Sequence, residues 1–101
     1  KTDAHPFLFL SRKRSDSRKL YDYTVDLHGM YAEEAMALLT GVVRRCGKQS
    51  RSILVIHGNG SGTLRSRVRG ALRNGRLPCR AFFFGEDIGA PGLDGVTVIH
   101  T

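Results

Sequence analysis

The chain has 101 residues, 41% of them hydrophobic and 25% charged, enough for one domain with a single core and too few for two. Sixteen Lys and Arg oppose nine Asp and Glu, a net charge of +7. No apolar run reaches bilayer-spanning length and no secretory signal is visible, so a membrane partner is not expected.

The charge is segregated along the chain. No Asp or Glu occurs between Ala35 and Gly85, a stretch that carries Arg44, Arg45, Lys48, Arg51, Arg65, Arg67, Arg69, Arg73, Arg76 and Arg80. Such a balance favours a polyanion, of which nucleic acid is the commonest; a solvated basic face is the plain alternative. Cys46 and Cys79 lack metal-ligand spacing and read as small buried hydrophobes. A reducing, intracellular setting is therefore expected, cytoplasmic first and organellar second.

Residues 1–21 read as a basic, partly flexible arm, with the apolar patch His5-Pro6-Phe7-Leu8-Phe9-Leu10 followed by a polar, basic run to Lys19. Residues 22–101 form the domain. Tyr23-Thr24-Val25-Asp26-Leu27 has strand composition. Ala32, Ala35, Met36, Leu39, Val42, Val43 and Cys46 then recur at helical spacing, predicting a helix over 31–46 with Gly47 as its stop. Ser52-Ile53-Leu54-Val55-Ile56 reads as a buried parallel strand. A second helix is predicted from Thr63 to about Asn74, burying Leu64, Val68, Ala71 and Leu72. Residues 79–84 form strand three, 85–95 a glycine-rich loop, and Val96-Thr97-Val98-Ile99 the last strand. The result is an α/β fold, βαβαββ, a two-layer sandwich with a mostly parallel four-stranded sheet. Its short last link predicts an antiparallel edge strand.

Two His–Gly junctions follow the first two strands: Asp26-Leu27-His28-Gly29 and Ile56-His57-Gly58-Asn59-Gly60-Ser61-Gly62. If these strands are parallel neighbours, both junctions reach the sheet edge where open α/β folds bind ligands. Asp26 and His28 are two apart and share a face. Either Asp26 braces the turn at Gly29, or it orients His28 or activates a nucleophile, with His28 as general acid or base. His57 is the third candidate catalytic residue. Gly58, Asn59, Gly60, Ser61 and Gly62 can bring backbone N–H groups and a helix start to a phosphate; a purely structural turn is the alternative. Neither a Walker loop nor a dinucleotide fingerprint fits the spacing. Arg65 is placed to clamp a phosphate by its guanidinium fork, with Arg67, Arg69, Arg73 and Arg76 adding backbone affinity; exposed helix charges are the plain alternative. Phe82, Phe83 and Phe84 read as core in a central strand, with base stacking as the alternative.

From about Tyr23 to Thr101 the chain resembles the Smr (small MutS-related) domain family. The resemblance rests on Asp26-Leu27-His28-Gly29, on Glu34-Ala35 in the following helix, on the run Ile56 to Arg65, and on Gly92-Leu93-Asp94-Gly95-Val96-Thr97-Val98. Val25 stands where many members have Leu, Ser61 replaces a frequent Thr, and Asp94-Gly95-Val96 replaces a Gly/Ala-rich turn; none of these changes a candidate catalytic group. The resemblance implies a small sandwich similar to the C-terminal half of bacterial translation initiation factor three. It also implies endonuclease activity on RNA or DNA, with Asp26 and His28 in cleavage and His57, Gly58 and Gly60 in the second motif.

The expected function is therefore a nucleic-acid endonuclease, cleaving RNA or nicking structured DNA. The rival is a non-catalytic nucleic-acid-binding or ribosome-associated module. No small-molecule cofactor is expected. A single carboxylate under-supplies a two-metal site, so no metal ligands are assigned and divalent-metal dependence stays open.

Overall fold

The computed structural model describes residues 21–47 and 49–101; the arm expected over 1–21 lies outside them except for Tyr21. The elements are β1 (Tyr23–Asp26), α1 (Ala32–Cys46), β2 (Ser52–Ile56), α2 (Thr63–Arg73), β3 (Ala81–Phe84), the short α3 (Gly85–Ile88), a 3-10 turn (Leu93–Gly95) and β4 (Val96–His100). They build one four-stranded mixed sheet in the order β1-β2-β4-β3. β1 and β2 are parallel with Val25 opposite Val55, and β4 runs antiparallel to both β2 and β3.

Side-chain alternation divides the core between the two faces of the sheet. Val25, Ile53, Val55 and Ile99 meet Leu39, Val42 and Val43 of α1 and Leu64, Val68 and Leu72 of α2. Leu54, Val96 and Val98 point the other way, onto Ala90 in the β3–β4 connection. β2 and β4 thus bury both faces, which is why their sequences are nearly uninterrupted β-branched runs. α1 buries Ala35, Leu39, Val42, Val43 and Cys46, with Glu33 and Glu34 in its first turn and Arg44 and Arg45 in its last, the order that suits the helix dipole.

Three expectations change. β4 is antiparallel but lies inside the sheet, between β2 and β3, rather than at the edge. The Phe run is accordingly not central: β3 is an edge strand, with Phe83 43% exposed. The cause is composition, since β4 has apolar side chains for both faces and takes the position where both are covered. Residues 85–95 also hold α3, a third helix. Gly85 is obligatory at its start, because a Cβ there would overlap the Leu93 carbonyl oxygen and the Val96 side chain.

Candidate nucleic-acid site

The first junction begins as an Asx turn. Asp26 Oδ1 accepts the His28 backbone N–H at 3.1 Å and also bonds His28 Nδ1, while Met30 N–H closes the turn onto the Leu27 carbonyl at 3.0 Å. Asp26 therefore braces the turn and orients the imidazole together. The carboxylate fixes Nδ1 as the protonated nitrogen, which leaves Nε2 as the acceptor of the neutral ring. The His28 side chain is 69% exposed, so Nε2 is reachable. The Asp26 hydrogen bond and charge raise the His28 pKa above its ordinary 6.5.

The second junction packs directly on the first. Gly58 has φ +78°, and a Cβ there would sit 3.5 Å from His28 Cβ. Any other residue there would be strained by the left-handed backbone. Between the junctions lies a cleft of about 470 Å³ lined by His28, Met30, Ala32, His57 and residues 58–64. α2 starts at its far wall with Gly62 as N-cap and no side-chain cap, and the Thr63 N–H is held by Ser61 Oγ at 3.3 Å. The next N–H groups of that first turn have no partner within the helix, which suits an anion. Arg65 folds back over this end, 3.4 Å from where a Gly62 Cβ would be.

His57 behaves differently from His28, which corrects its assignment as a catalytic candidate. It is 4% exposed, with Nδ1 2.9 Å from the Gly58 carbonyl and Nε2 2.8 Å from Thr97 Oγ1. A carbonyl only accepts, so Nδ1 carries the proton and Nε2 accepts from the Thr97 hydroxyl. That hydroxyl in turn accepts from Arg69 Nε at 3.0 Å. Burial, with Arg69 and Arg65 nearby, lowers the His57 pKa below 6.5 and keeps the ring neutral. Both nitrogens are occupied. His57 positions the Gly58 carbonyl and has no free nitrogen for a substrate proton.

Arg69 is likewise removed from the phosphate-binding set. It is 9% exposed and forms a fork onto Glu86, both bonds 2.8 Å, with a further bond to the Val96 carbonyl at 3.0 Å. Its guanidinium stacks on the Phe84 ring, 4.1 Å from the centroid. Sequence reasoning missed this network, although a signal existed: Arg69 lies one turn before Leu72, beside the apolar stripe, and Thr97 interrupts an apolar strand. Arg73 stays exposed on α2, 5.1 Å from the Phe84 centroid.

Glu86 is held well below the carboxylate range, at about 2, chiefly by its hydrogen bonds to Arg69. A depressed carboxylate stabilises the fold above its unfolded pKa, near 4.5, and that contribution disappears as pH falls toward 2. Glu86→Gln is therefore expected to reduce the loss of Tm that wild type shows between about pH 5 and about pH 3. Equal losses in both proteins would rule out this pair as a source of acid sensitivity.

The β3–β4 connection pins the glycine loop from above. The Gly95 carbonyl accepts the N–H groups of His57 and Gly58 at 3.1 and 2.9 Å. Asp94 accepts from Asn59 Nδ2 at 2.8 Å and lies 3.5 Å from Arg65 Nη1. Asp94 of the closing loop thus contacts two candidate phosphate ligands. Gly60 and Ser61 remain exposed on the rim. Among the described residues no three His, Cys, Asp or Glu side chains gather as a metal-binding group, and no helix is long and apolar enough to cross a membrane.

Comparison with known proteins agrees with this geometry. The family model for the Smr domain matches residues 25–101, a span that holds both His–Gly junctions and the closing loop. The crystal structure of the Smr domain of Thermus thermophilus MutS2 is similar with a TM-score of 0.63 and 30% identity, covering 76% of this chain and 94% of that one. No curated protein matches. With the sheet order, the paired junctions and the glycine loop all falling inside the matched span, the chain belongs to the Smr domain family.

Proposed function

We propose that this Smr domain is an endonuclease that cleaves RNA, using His28 as general base and Asp26 to hold it. Smr domains are a nuclease-associated, nucleic-acid-interacting family, and the observation that supports catalysis here is the exposed Asp26–His28 pair at the mouth of the cleft. His28 Nε2 removes the proton of a 2′-hydroxyl, whose oxygen attacks the adjacent phosphorus. The P–O5′ bond breaks, leaving a 2′,3′-cyclic phosphate. The departing 5′-oxygen takes a proton from water, and His28 returns its proton to solvent. The α2 N-terminus, the glycine loop and Arg65 bind the phosphate and its developing charge.

The test is incubation of the protein with labelled single-stranded RNA, duplex DNA and branched DNA, with and without EDTA. RNA products ending in a cyclic phosphate and unaffected by EDTA support the reading. Nicked DNA with intact RNA overturns it, and loss of cleavage in EDTA adds a divalent metal to the site. Binding without cleavage of any substrate leaves the non-catalytic module, which the exposed Arg67 and Arg73 on α2 would also serve.

Arg65 supplies a second check. A phosphate must compete with Asp94 for Arg65 and Asn59, so Asp94→Asn is expected to tighten binding. One freed cation steepens the slope of log affinity against log salt by about 0.7–0.9. Arg65→Glu is expected to weaken binding and flatten that slope. If neither variant changes the slope, Arg65 is not a phosphate contact.

A further inference from the structure

A second depression lies outside the cleft, a groove of about 390 Å³ between α1 and α2. Its floor is apolar: Ala71 and Leu77 are buried, and Met36 of α1 is half-buried. Its rim is polar and basic, with Ser66, Arg67, Asn74 and Arg76 exposed and no carboxylate among the lining residues. Asn74 Oδ1 accepts the Arg76 N–H at 3.2 Å, which leaves the Asn74 amide group as a donor. Arg67 also reaches Glu33 at 3.3 Å, but both side chains are exposed and such pairs are worth little, so a phosphate can replace the carboxylate. Gly70 keeps the groove open. It lies inside α2, where glycine is unfavourable, and a Cβ there would meet nothing within 4 Å. The fold does not require glycine at this position, whereas a longer side chain would take up space in the groove that Gly70 lines.

A bare phosphate needs no apolar floor, and an apolar peptide needs no basic rim. A nucleotide has a part for each, a base with an apolar face and an anionic phosphate. The groove also continues the cleft along α2: Thr63 and Leu64 line the cleft, and Ser66 and Arg67 line the groove on the next turn. Thr63 and Gly70 are about 10 Å apart along the helix, about three nucleotides of a stacked strand. We propose that the groove is a second nucleotide site for the strand bound in the cleft, with a base on the Met36–Ala71–Leu77 floor and phosphates at Arg67 and Arg76. Only an unpaired base has its face free to enter, which directs this site to single strands, loops and bulges. This rests on the reading of the cleft as a nucleic-acid site.

The test follows backbone amide resonances of the isotope-labelled protein during titration with oligo(dT) of about ten nucleotides, and separately with a blunt DNA duplex. Oligo(dT) lacks the 2′-hydroxyl that the proposed reaction needs, so the wild-type protein can be used. Amides of the groove (Ser66, Gly70, Asn74, Leu77) and of the cleft (Gly58–Thr63) are expected to shift together, with one Kd, on addition of oligo(dT). The duplex should leave Leu77 at the groove floor unmoved. Gly70→Leu fills the groove and should weaken oligo(dT) binding about fivefold or more, the worth of about 40 Å² of apolar contact. Its Tm should not fall, because Leu favours a helix over Gly. Replacing Arg67 and Arg76 together by Gln should flatten the slope of log affinity against log salt by about 1.4, which is about 0.7 for each single-strand phosphate contact. Cleft shifts with a silent groove, or unchanged affinity in Gly70→Leu, overturn the second site and leave the cleft reading intact. Equal groove shifts with oligo(dT) and duplex overturn the placing of a base on the floor. Groove shifts with a silent cleft overturn the cleft reading, and with it the single strand that joins the two sites. No shift with either probe overturns both.

Discussion

Replacing His28 by alanine is expected to lower RNA cleavage by about 10²–10⁴-fold, the usual contribution of a positioned general acid or base. Affinity for RNA should stay close to wild type, because proton transfer matters only in the transition state. The fold should also survive, since the side chain is largely exposed. In the proposed mechanism Asp26 acts through His28 as a positioning residue, which gives it a different signature. A base must be neutral to work, so cleavage should rise with pH through the raised pKa of His28. Asp26→Asn removes the carboxylate that raises this pKa, so the acidic limb of the profile should move to lower pH while the maximal rate falls. A purely structural Asp26 would lower the rate and leave the limb in place. Full activity in the Asp26→Asn, His28→Ala double variant would remove this pair from the chemistry.

The sequence carried the parallel core of the fold more clearly than its far edge. α1 and α2 follow from apolar spacing, and the β1–β2 pair from two β-branched runs separated by a helix; each was legible because one local pattern determines it. Where β4 inserts was not legible locally. That choice depends on how well β3 and β4 each cover two faces, a comparison between distant segments. The same difference separates the two histidines. Asp26 and His28 lie two residues apart on one strand end, so their pairing could be read directly. His57 looked equivalent because it also precedes a glycine. Its role depends on Thr97, Arg69 and Glu86, which reach it only after α2 and β4 have packed on β2. Arg69 misled for a related reason: in a stretch without acids every Arg looks free, and its partner Glu86 comes just beyond the end of that stretch.

That buried network predicts the largest effect on stability. Thr97→Val keeps the shape of the side chain and removes its hydroxyl, leaving His57 Nε2 and Arg69 Nε without their partner. Unsatisfied buried polar groups cost about 1–3 kcal/mol each. For a domain of this size each kcal/mol lowers Tm by roughly 4–8 °C. Arg69→Met should also destabilise, since it removes the bonds to Thr97 and the Val96 carbonyl. Because the two residues share one hydroxyl, the double variant should lose less than the two single losses combined. Additive losses would mean that the network is not a unit. The network also reaches the candidate site, because His57 donates to the Gly58 carbonyl and Gly58 lies against His28. Thr97→Val assayed well below its Tm should therefore cleave more slowly. The pH at which His28 titrates should not move, since Asp26 is untouched. The histidines impose opposite pH trends on stability. The lowered pKa of His57 costs stability as pH falls below about 6.5, while the raised pKa of His28 adds stability there. In the His28→Ala protein only the His57 trend remains, so its Tm should fall more steeply than wild type as pH drops from about 7 to about 5. A parallel fall in both proteins would mean that Asp26 does not raise the His28 pKa in the folded state, and no fall in His28→Ala would mean that His57 is not held neutral by its buried partners.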